Sequence, residues 1–397
     1  MLLYIHVPFC RKKCAYCAFF SVPLSGGTCG APEVKEYLAA LLGEMRFWSG
    51  LLGKQKLETV FFGGGTPSLL PTKALKGILD QAAKLFTLDS AAEISIEANP
   101  ESALAEGWLF DAHAAGVNRL SLGVQSFNDK SLSLLGRCHD TREAEAAYHT
   151  ARSAGFTNIS LDFMWGLPGR ARPQAQQEWL EELRRAVRLK PEHISTYSLT
   201  LETGTPLKSA CDARELALPE EDALGSMYMA GADYLEENGY MQYEISNFAR
   251  MGHACRHNLG YWQGRDYLGL GPAATSTVNG KRWTNPGDIA VWRQAVAKET
   301  LGNGAEDISG LVKLKETLML GLRMNRGLNL QEWKTLAGRP LLEDYADLVK
   351  ALQQNNLAAV RQGQFRLTRS GLLVSDAVLA HFFARMENLY LQSPPPS

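Results

Sequence analysis

The chain is predicted to be an α/β protein, an incomplete (βα)6 barrel followed by a small C-terminal winged-helix-like α+β domain. Two observations lead there. Six short strand-like segments alternate with helical patterns through the first half of the sequence, and strands joined by crossover helices imply a parallel sheet covered by helices. Polar residues also recur at or just past the ends of those segments, at Cys10, Gly63 to Thr66, Glu97, Gln125 and Asp162. Barrels and open parallel sheets both bind ligands at that edge. A single site drawn from so many strands is easier to build on a curved sheet, which favours the partial barrel over a flat, doubly wound sheet.

Residues 2–7 form the first short strand. After the cysteine-containing loop, Val34, Tyr37, Leu38, Leu41, Leu42, Met45 and Trp48 fall at helical spacing. Residues 59–62 read as the second strand, and Ala74, Leu75, Ile78, Leu79, Ala82 and Phe86 mark the next helix. Strands follow at 93–98, 119–125, 158–164 and 193–199, with helical patterns between them, and the barrel unit is placed at 1–205. A helix at 219–235 and an irregular aromatic segment at 240–283 belong to a barrel extension, 206–300. The small domain, 301–386, contains helices at 311–322 and 341–353 and a strand pair near 358–367. Residues 387–397 begin with a run one residue away from a common protease-cleavage tag and end in prolines; they are expected to be a disordered tail.

Bulk properties exclude several functions. Apolar residues make up 45% and charged residues 21%, with 41 Lys and Arg against 42 Asp and Glu. No global field therefore recruits nucleic acid or anionic lipid. No apolar run approaches the roughly 18–20 residues of a membrane span, and the opening residues lack a basic leader, so a cytoplasmic location is expected. Three of the seven cysteines fall within eight residues, while Cys29, Cys138, Cys211 and Cys255 are scattered. That distribution makes a poor disulfide framework and a good metal site.

The triplet is Cys10-x-x-x-Cys14-x-x-Cys17, directly after the first strand. Three thiolates can hold three irons of a 4Fe–4S cubane and leave the fourth open, as radical S-adenosylmethionine (SAM) chemistry requires. Arg11, Lys12 and Lys13 would favour the thiolates, and Tyr16 would shield the cluster from water. Zinc is the competing reading, but it needs a fourth ligand, and the candidates are His6, inside the strand, and Cys29, far along the loop.

Gly63-Gly64-Gly65-Thr66 could be only a tight turn after the second strand. On the same edge as the cysteines, its exposed backbone groups read as a surface for the SAM amino group. Glu97 and Asp162 are acids within apolar strands, costly unless partnered. A ribose hydroxyl, a substrate amine or a structural salt bridge would each serve. Gln125 and Arg137, near strand ends, suit ribose and carboxylate contacts.

The segments Tyr4-Ile5-His6-Val7-Pro8-Phe9-Cys10, Ile96-Glu97-Ala98-Asn99-Pro100-Glu101, Gly123-Val124-Gln125-Ser126-Phe127, Leu135-Gly136-Arg137 and Gly166-Leu167-Pro168-Gly169, with the glycine run, resemble the oxygen-independent coproporphyrinogen dehydrogenase superfamily. The resemblance extends from Tyr4 to about Leu372. It implies a radical SAM partial barrel with a 4Fe–4S cluster on Cys10, Cys14 and Cys17. Tyr4, Gly64, Gly65, Thr66, Glu97, Gln125, Arg137 and Asp162 would lie around SAM.

Within that superfamily the dehydrogenases carry a further cysteine two residues after the triplet, where this chain has Phe19, and an N-terminal extension that helps enclose substrate. His257-Asn258-Leu259-Gly260-Tyr261-Trp262 and the run from Ser195 to Pro206 are instead similar to the HemW-type haem chaperones. That likeness implies haem held through His257 and delivered to haem-accepting apoproteins, including membrane respiratory complexes. On chemistry alone His257 could equally be a hydrogen-bonded core residue, although imidazole is a common haem ligand and aromatic neighbours pack on porphyrins. The run Gly271-Pro272-Ala273-Ala274-Thr275-Ser276 departs from the chaperone pattern. The alternative function is a radical enzyme acting on a porphyrin, by propionate decarboxylation or by methyl transfer and ring opening.

Overall fold

The computed structural model describes residues 1–24 and 32–392; Cys29 and the terminal prolines lie outside them. Twelve strands form one sheet: β1 (Leu2–Val7), β2 (Lys56–Gly64), β3 (Thr87–Ala98), β4 (Arg119–Gln125), β5 (Ile159–Trp165), β6 (His193–Ser198), β7 (Met241–Glu244), β8 (Asn247–Ala249), β9 (Tyr267–Leu270), β10 (Thr275–Val278), β11 (Lys281–Thr284) and β12 (Glu306–Asp307). Their spatial order is β12-β11-β10-β9-β1-β2-β3-β4-β5-β6-β8-β7. From β1 to β6 every neighbour is parallel. The predicted six-stranded barrel core is therefore present in chain order, and helices cross over between its strands.

Alternation along these strands sorts their side chains. Leu3, Ile5, Val60, Phe62, Ile94, Ile96, Leu120, Leu122, Leu161 and Ile194 are buried on the apolar side. The helix Pro32–Leu52 buries Val34, Tyr37, Leu41, Met45 and Trp48, and Thr72–Leu85 buries Leu75, Ile78, Leu79 and Ala82. These are the faces anticipated from the helical spacing. Each such large apolar side chain contributes roughly 1.5–3 kcal/mol on burial, so this layer holds the barrel together and leaves the lumen free to be polar.

The segment 240–283 is not irregular. It supplies five short strands and the helix Arg256–Trp262. β9 pairs in parallel with the outer edge of β1, and β7 and β8 extend the other edge beyond β6. Strands of three or four residues are too short to show an alternating pattern in the sequence. This segment and the residues just after it are tied to the first helix through the buried Glu44 carboxylate. It accepts from Gly271 N at 2.7 Å, Asn285 Nδ2 at 2.6 Å and Trp292 Nε1 at 3.0 Å.

The C-terminal unit has the expected helix and strand-pair layout. Helix Gly310–Arg323 precedes a three-stranded antiparallel sheet made of Leu328–Asn329, Gln364–Leu367 and Ala358–Arg361. A helix at Leu330–Ala337 escaped the sequence reading, and the helix placed at 341–353 is broken at Tyr345. The last helix runs from Ser375 to Gln392, with Tyr390 buried. Residues 387–392 are thus helical, where the sequence suggested a disordered tail, because Tyr390 and Met386 continue the apolar face. Backbone bonds from Ile245 N to Arg323 O and from Asn325 N to Tyr243 O dock this unit on the barrel extension.

Candidate functional site

The opposite side of the strand alternation is polar. Tyr4 and His6 on β1, Glu93, Ser95 and Glu97 on β3, Arg119, Ser121, Gly123 and Gln125 on β4, Ser160 and Asp162 on β5, and His193 and Ser195 on β6 share that face. Register pairs Ser121 with both Glu97 and Ser160, and Ser160 with His193. Most of these side chains line a cavity of about 590 Å³, and every site residue picked out in the sequence reaches it: Cys10, Cys14, Cys17, Tyr4, Gly64, Gly65, Thr66, Glu97, Gln125, Arg137, Asp162 and His257.

At the mouth, the cysteine loop is pinned from three sides. Leu24 N donates to Cys10 O at 2.9 Å, Ala15 N to Leu135 O at 3.0 Å, and Leu207 N to Ala15 O at 2.9 Å. Arg137 Nη1 donates to Cys14 Sγ at 3.4 Å and its Nη2 to Asn99 Oδ1 at 2.6 Å. Asn99 Nδ2 in turn donates to Thr66 Oγ1 at 3.2 Å, and Thr66 Oγ1 to Cys10 Sγ at 3.5 Å. One polar chain thereby connects two of the three sulfurs, and Asn99, its central link, was not singled out beforehand. Arg11, Lys12 and Lys13 are exposed, and the guanidinium that touches sulfur is Arg137. Burial pushes the Cys10 and Cys17 thiols up.

This donor set fits an iron–sulfur cubane. Three partly buried thiols face one cavity, and two of them receive hydrogen bonds of the kind that stabilise cluster sulfur. Among the described residues no three His, Cys, Asp or Glu side chains are gathered for a single ion; a cubane spreads its thiolates over three irons instead of closing them on one.

Beside the cysteines, β2 ends in glycines. A Cβ at Gly65 would lie 2.6 Å from Phe9 O and 2.9 Å from Val7 O, and one at Gly64 would strike the His6 ring. Only glycine lets β2 pass so close to the loop. Gly64 N donates to Glu97 Oε2 at 3.2 Å. Burial, reinforced by the Asp162 charge, pushes the Glu97 carboxyl up to about 7, so it is poised between its two forms near neutrality. Gln125 ends β4 with φ 64°, an unusual conformation for a residue with a side chain and one that often marks functional positions.

Deeper in the lumen, Asp162 accepts from Ser121, Ser160 and Ser195 hydroxyls at 2.8, 2.7 and 2.6 Å. These serines supply the partners that an acid in an apolar strand demands. Ser160 also bonds His193 Nδ1 at 2.8 Å, and His193 Nε2 bonds Tyr243 OH at 2.9 Å. Arg119 is buried nearby. Arg119, Ser121, His193 and Ser195 were not singled out as site residues, although the polar residues at every second position of their strands carried the signal.

The helix Arg256–Trp262 packs at the N-terminal ends of these strands. Glu93 receives its first amides, from Arg256 N at 3.0 Å and His257 N at 3.1 Å, the arrangement a helix N-terminus favours. His257 is buried, with Nδ1 2.7 Å from Thr59 Oγ1 and Nε2 3.0 Å from Tyr261 OH. Its ring stacks on Phe61 at 5.0 Å. Burial, with the Arg119 charge behind it, brings its pKa down to about 3. His257 is therefore a neutral imidazole with both nitrogens engaged. Asn258 Nδ2 reaches Tyr243 OH at 3.2 Å.

A six-stranded parallel partial barrel with three cysteines after its first strand and a glycine-lined second strand defines a radical SAM protein. Residues 4–177 match the radical SAM superfamily and residues 308–374 the HemN C-terminal domain. Among curated proteins, heme chaperone HemW of Bacillus subtilis is 34% identical over 96% of this chain and 99% of its own length. Radical S-adenosyl methionine domain-containing protein 1, mitochondrial, of Bos taurus is 35% identical over 100% of this chain and 90% of its own. The solved structure of the Escherichia coli coproporphyrinogen III oxidase HemN superposes with a TM-score of 0.78, covering 96% of this chain and 89% of that one. At 23% identity it attests the fold alone. The chain belongs to the HemW family of radical SAM proteins. Membership of the radical SAM superfamily implies a 4Fe–4S cluster and SAM.

Proposed function

We propose that this protein is a haem chaperone, binding haem and passing it to haem-dependent apoproteins. The observation that carries the reading is end-to-end similarity to proteins named heme chaperone HemW. In our assignment Cys10, Cys14 and Cys17 hold the 4Fe–4S cluster, and Arg137 and Thr66 steady it by donating to sulfur. Tyr4, Gly64, Gly65, Thr66, Glu97, Gln125, Arg137 and Asp162 form the SAM surface. When bound, the cluster supplies one-electron chemistry at an iron left open to SAM. The chain's own residues bind and orient: the glycine strand end offers backbone groups, Glu97 offers a carboxyl near its titration midpoint, and Arg137 offers a fixed positive charge.

His257 is assigned to haem. In the described conformation its nitrogens are held by Thr59 and Tyr261, so iron ligation requires Tyr261 to release Nε2. Recipients are haem-accepting proteins, including respiratory complexes at the membrane, reached from the cytoplasm through protein contacts; no helix among the described residues is long and apolar enough to cross a membrane. An anaerobic haem titration of the cluster-loaded protein, followed by absorbance beside His257→Ala, tests the assignment. Saturation near one haem per chain that collapses in the variant supports both statements. Saturation unchanged in the variant removes His257 from haem binding, and non-saturable binding by the unaltered protein removes the carrier role.

A further inference from the structure

A second cavity, of about 620 Å³, adjoins the first, with Tyr4, Phe19, Gly64, Glu97 and Tyr261 common to both. Its outer wall is built by β9 to β11 and by the helix Gly310–Arg323 of the C-terminal unit. It is therefore a cleft that runs from the lumen side of β1 and β3 out to the small domain. Its lining is sorted by chemistry. Tyr261 and Tyr267 meet edge to face with ring centroids 4.7 Å apart, and Met319 and Leu320 from the helix also line the cleft. Three cations join them. Arg265 is paired with Glu58 and Arg282 with Glu316, whereas the half-buried Lys313 forms no ion pair among the described residues.

Resting on the haem-carrier reading, we propose that this cleft seats the haem, its macrocycle against Tyr261, Tyr267, Met319 and Leu320 and a propionate on Lys313. The match is one of shape and charge: a flat apolar ring system needs aromatic and aliphatic walls, and its carboxylates need a cation whose charge is not already spent on a protein acid. Met319 adds a thioether, a donor that haem iron accepts. The position also explains how a bound tetrapyrrole reaches the buried imidazole. Tyr261 lines both cavities and holds His257 Nε2, so haem in the cleft rests on the one side chain that must move to free that nitrogen.

The test uses the full-length, cluster-loaded protein under anaerobic conditions, with haem and haem dimethyl ester as probes. Lys313→Glu lies on a partly exposed helix face, with circular dichroism confirming that it folds; Met319→Trp fills the cleft. A charge-assisted contact of this kind is worth about tenfold or more in affinity. Lys313→Glu should therefore weaken haem by that factor while leaving cluster absorbance and SAM binding unchanged, and Met319→Trp should weaken both probes with cluster absorbance unchanged. Because the ester lacks the propionate charge, it should bind the unaltered protein and Lys313→Glu alike. If the unaltered protein binds one haem while both variants match it, the cleft assignment is overturned and the carrier reading survives. If the unaltered protein does not bind haem saturably, both fall together.

Discussion

Arg137 shows how much of this site depends on single side chains. Among the described residues it is the cation that donates to a triplet sulfur, and through Asn99 and Thr66 it is linked to Cys10. Arg137→Gln is expected to assemble the cluster and lose it several-fold faster to an iron chelator, while Cys14→Ala should not hold a cubane at all; iron and sulfide analysis with absorbance decides both. His257 carries a pH signature. Its pKa, near 6.5 in the unfolded chain, falls to about 3 on folding, so below pH 6.5 the unfolded state takes up a proton that the folded state refuses. Stability should fall from pH 6.5 toward 3, with a slope of up to about 1.4 kcal/mol per pH unit from this group. His257→Gln should be less steep in urea unfolding across that window, while His6 and His193, also lowered by burial, leave a residual slope. Equal slopes would mean His257 titrates normally. Among individual residues, the cysteines, Glu97 and Asp162 were legible because their chemistry conflicts with an apolar strand or clusters too tightly for chance. Asn99 and Arg119 were not, since their roles depend on partners distant in sequence.

At the scale of elements, the barrel strands and their helices were legible wherever a segment was long enough to repeat its pattern. The helix with Val34, Tyr37, Leu41, Met45 and Trp48 on one face is such a case. The strands of 240–283 were not, because three or four residues cannot establish a period and their partners are β1 and β6, far away in sequence. The broken helix at Tyr345 shows the same limit: the apolar spacing runs through the break. The join between β2 and the cysteine loop yields a sharp expectation. A methyl group on Gly65 would overlap Phe9 O and Val7 O, and Thr66 N donates to Phe9 O just beyond. Gly65→Ala should therefore displace the loop and reduce iron retained after reconstitution by at least half. It should cost about 1–3 kcal/mol in unfolding free energy, the range for overpacking at a close-packed position. Full iron content in the variant would show that the loop accommodates the methyl group.

Across the whole molecule, the sheet divides labour between its faces. The apolar side binds the helices, and the polar side is a lumen closed at one end by Arg256–Trp262 and open at the other beside the cysteines. The C-terminal unit docks on the barrel extension and completes a second cleft next to the first. That juxtaposition was invisible in the sequence, because it requires residues near 4, 20, 261, 275 and 319 to meet. A porphyrin-modifying enzyme and a haem carrier could both be built on this frame, and they differ in what leaves the protein. The decisive measurement loads the cluster-bearing chain with one equivalent of haem, adds SAM and a reductant, and presents a haem-free acceptor protein. The mass of the tetrapyrrole recovered on the acceptor is then determined. A haem carrier delivers intact haem to the acceptor by way of the loaded chain. Haem that stays behind, or a tetrapyrrole of altered mass, would contradict that role.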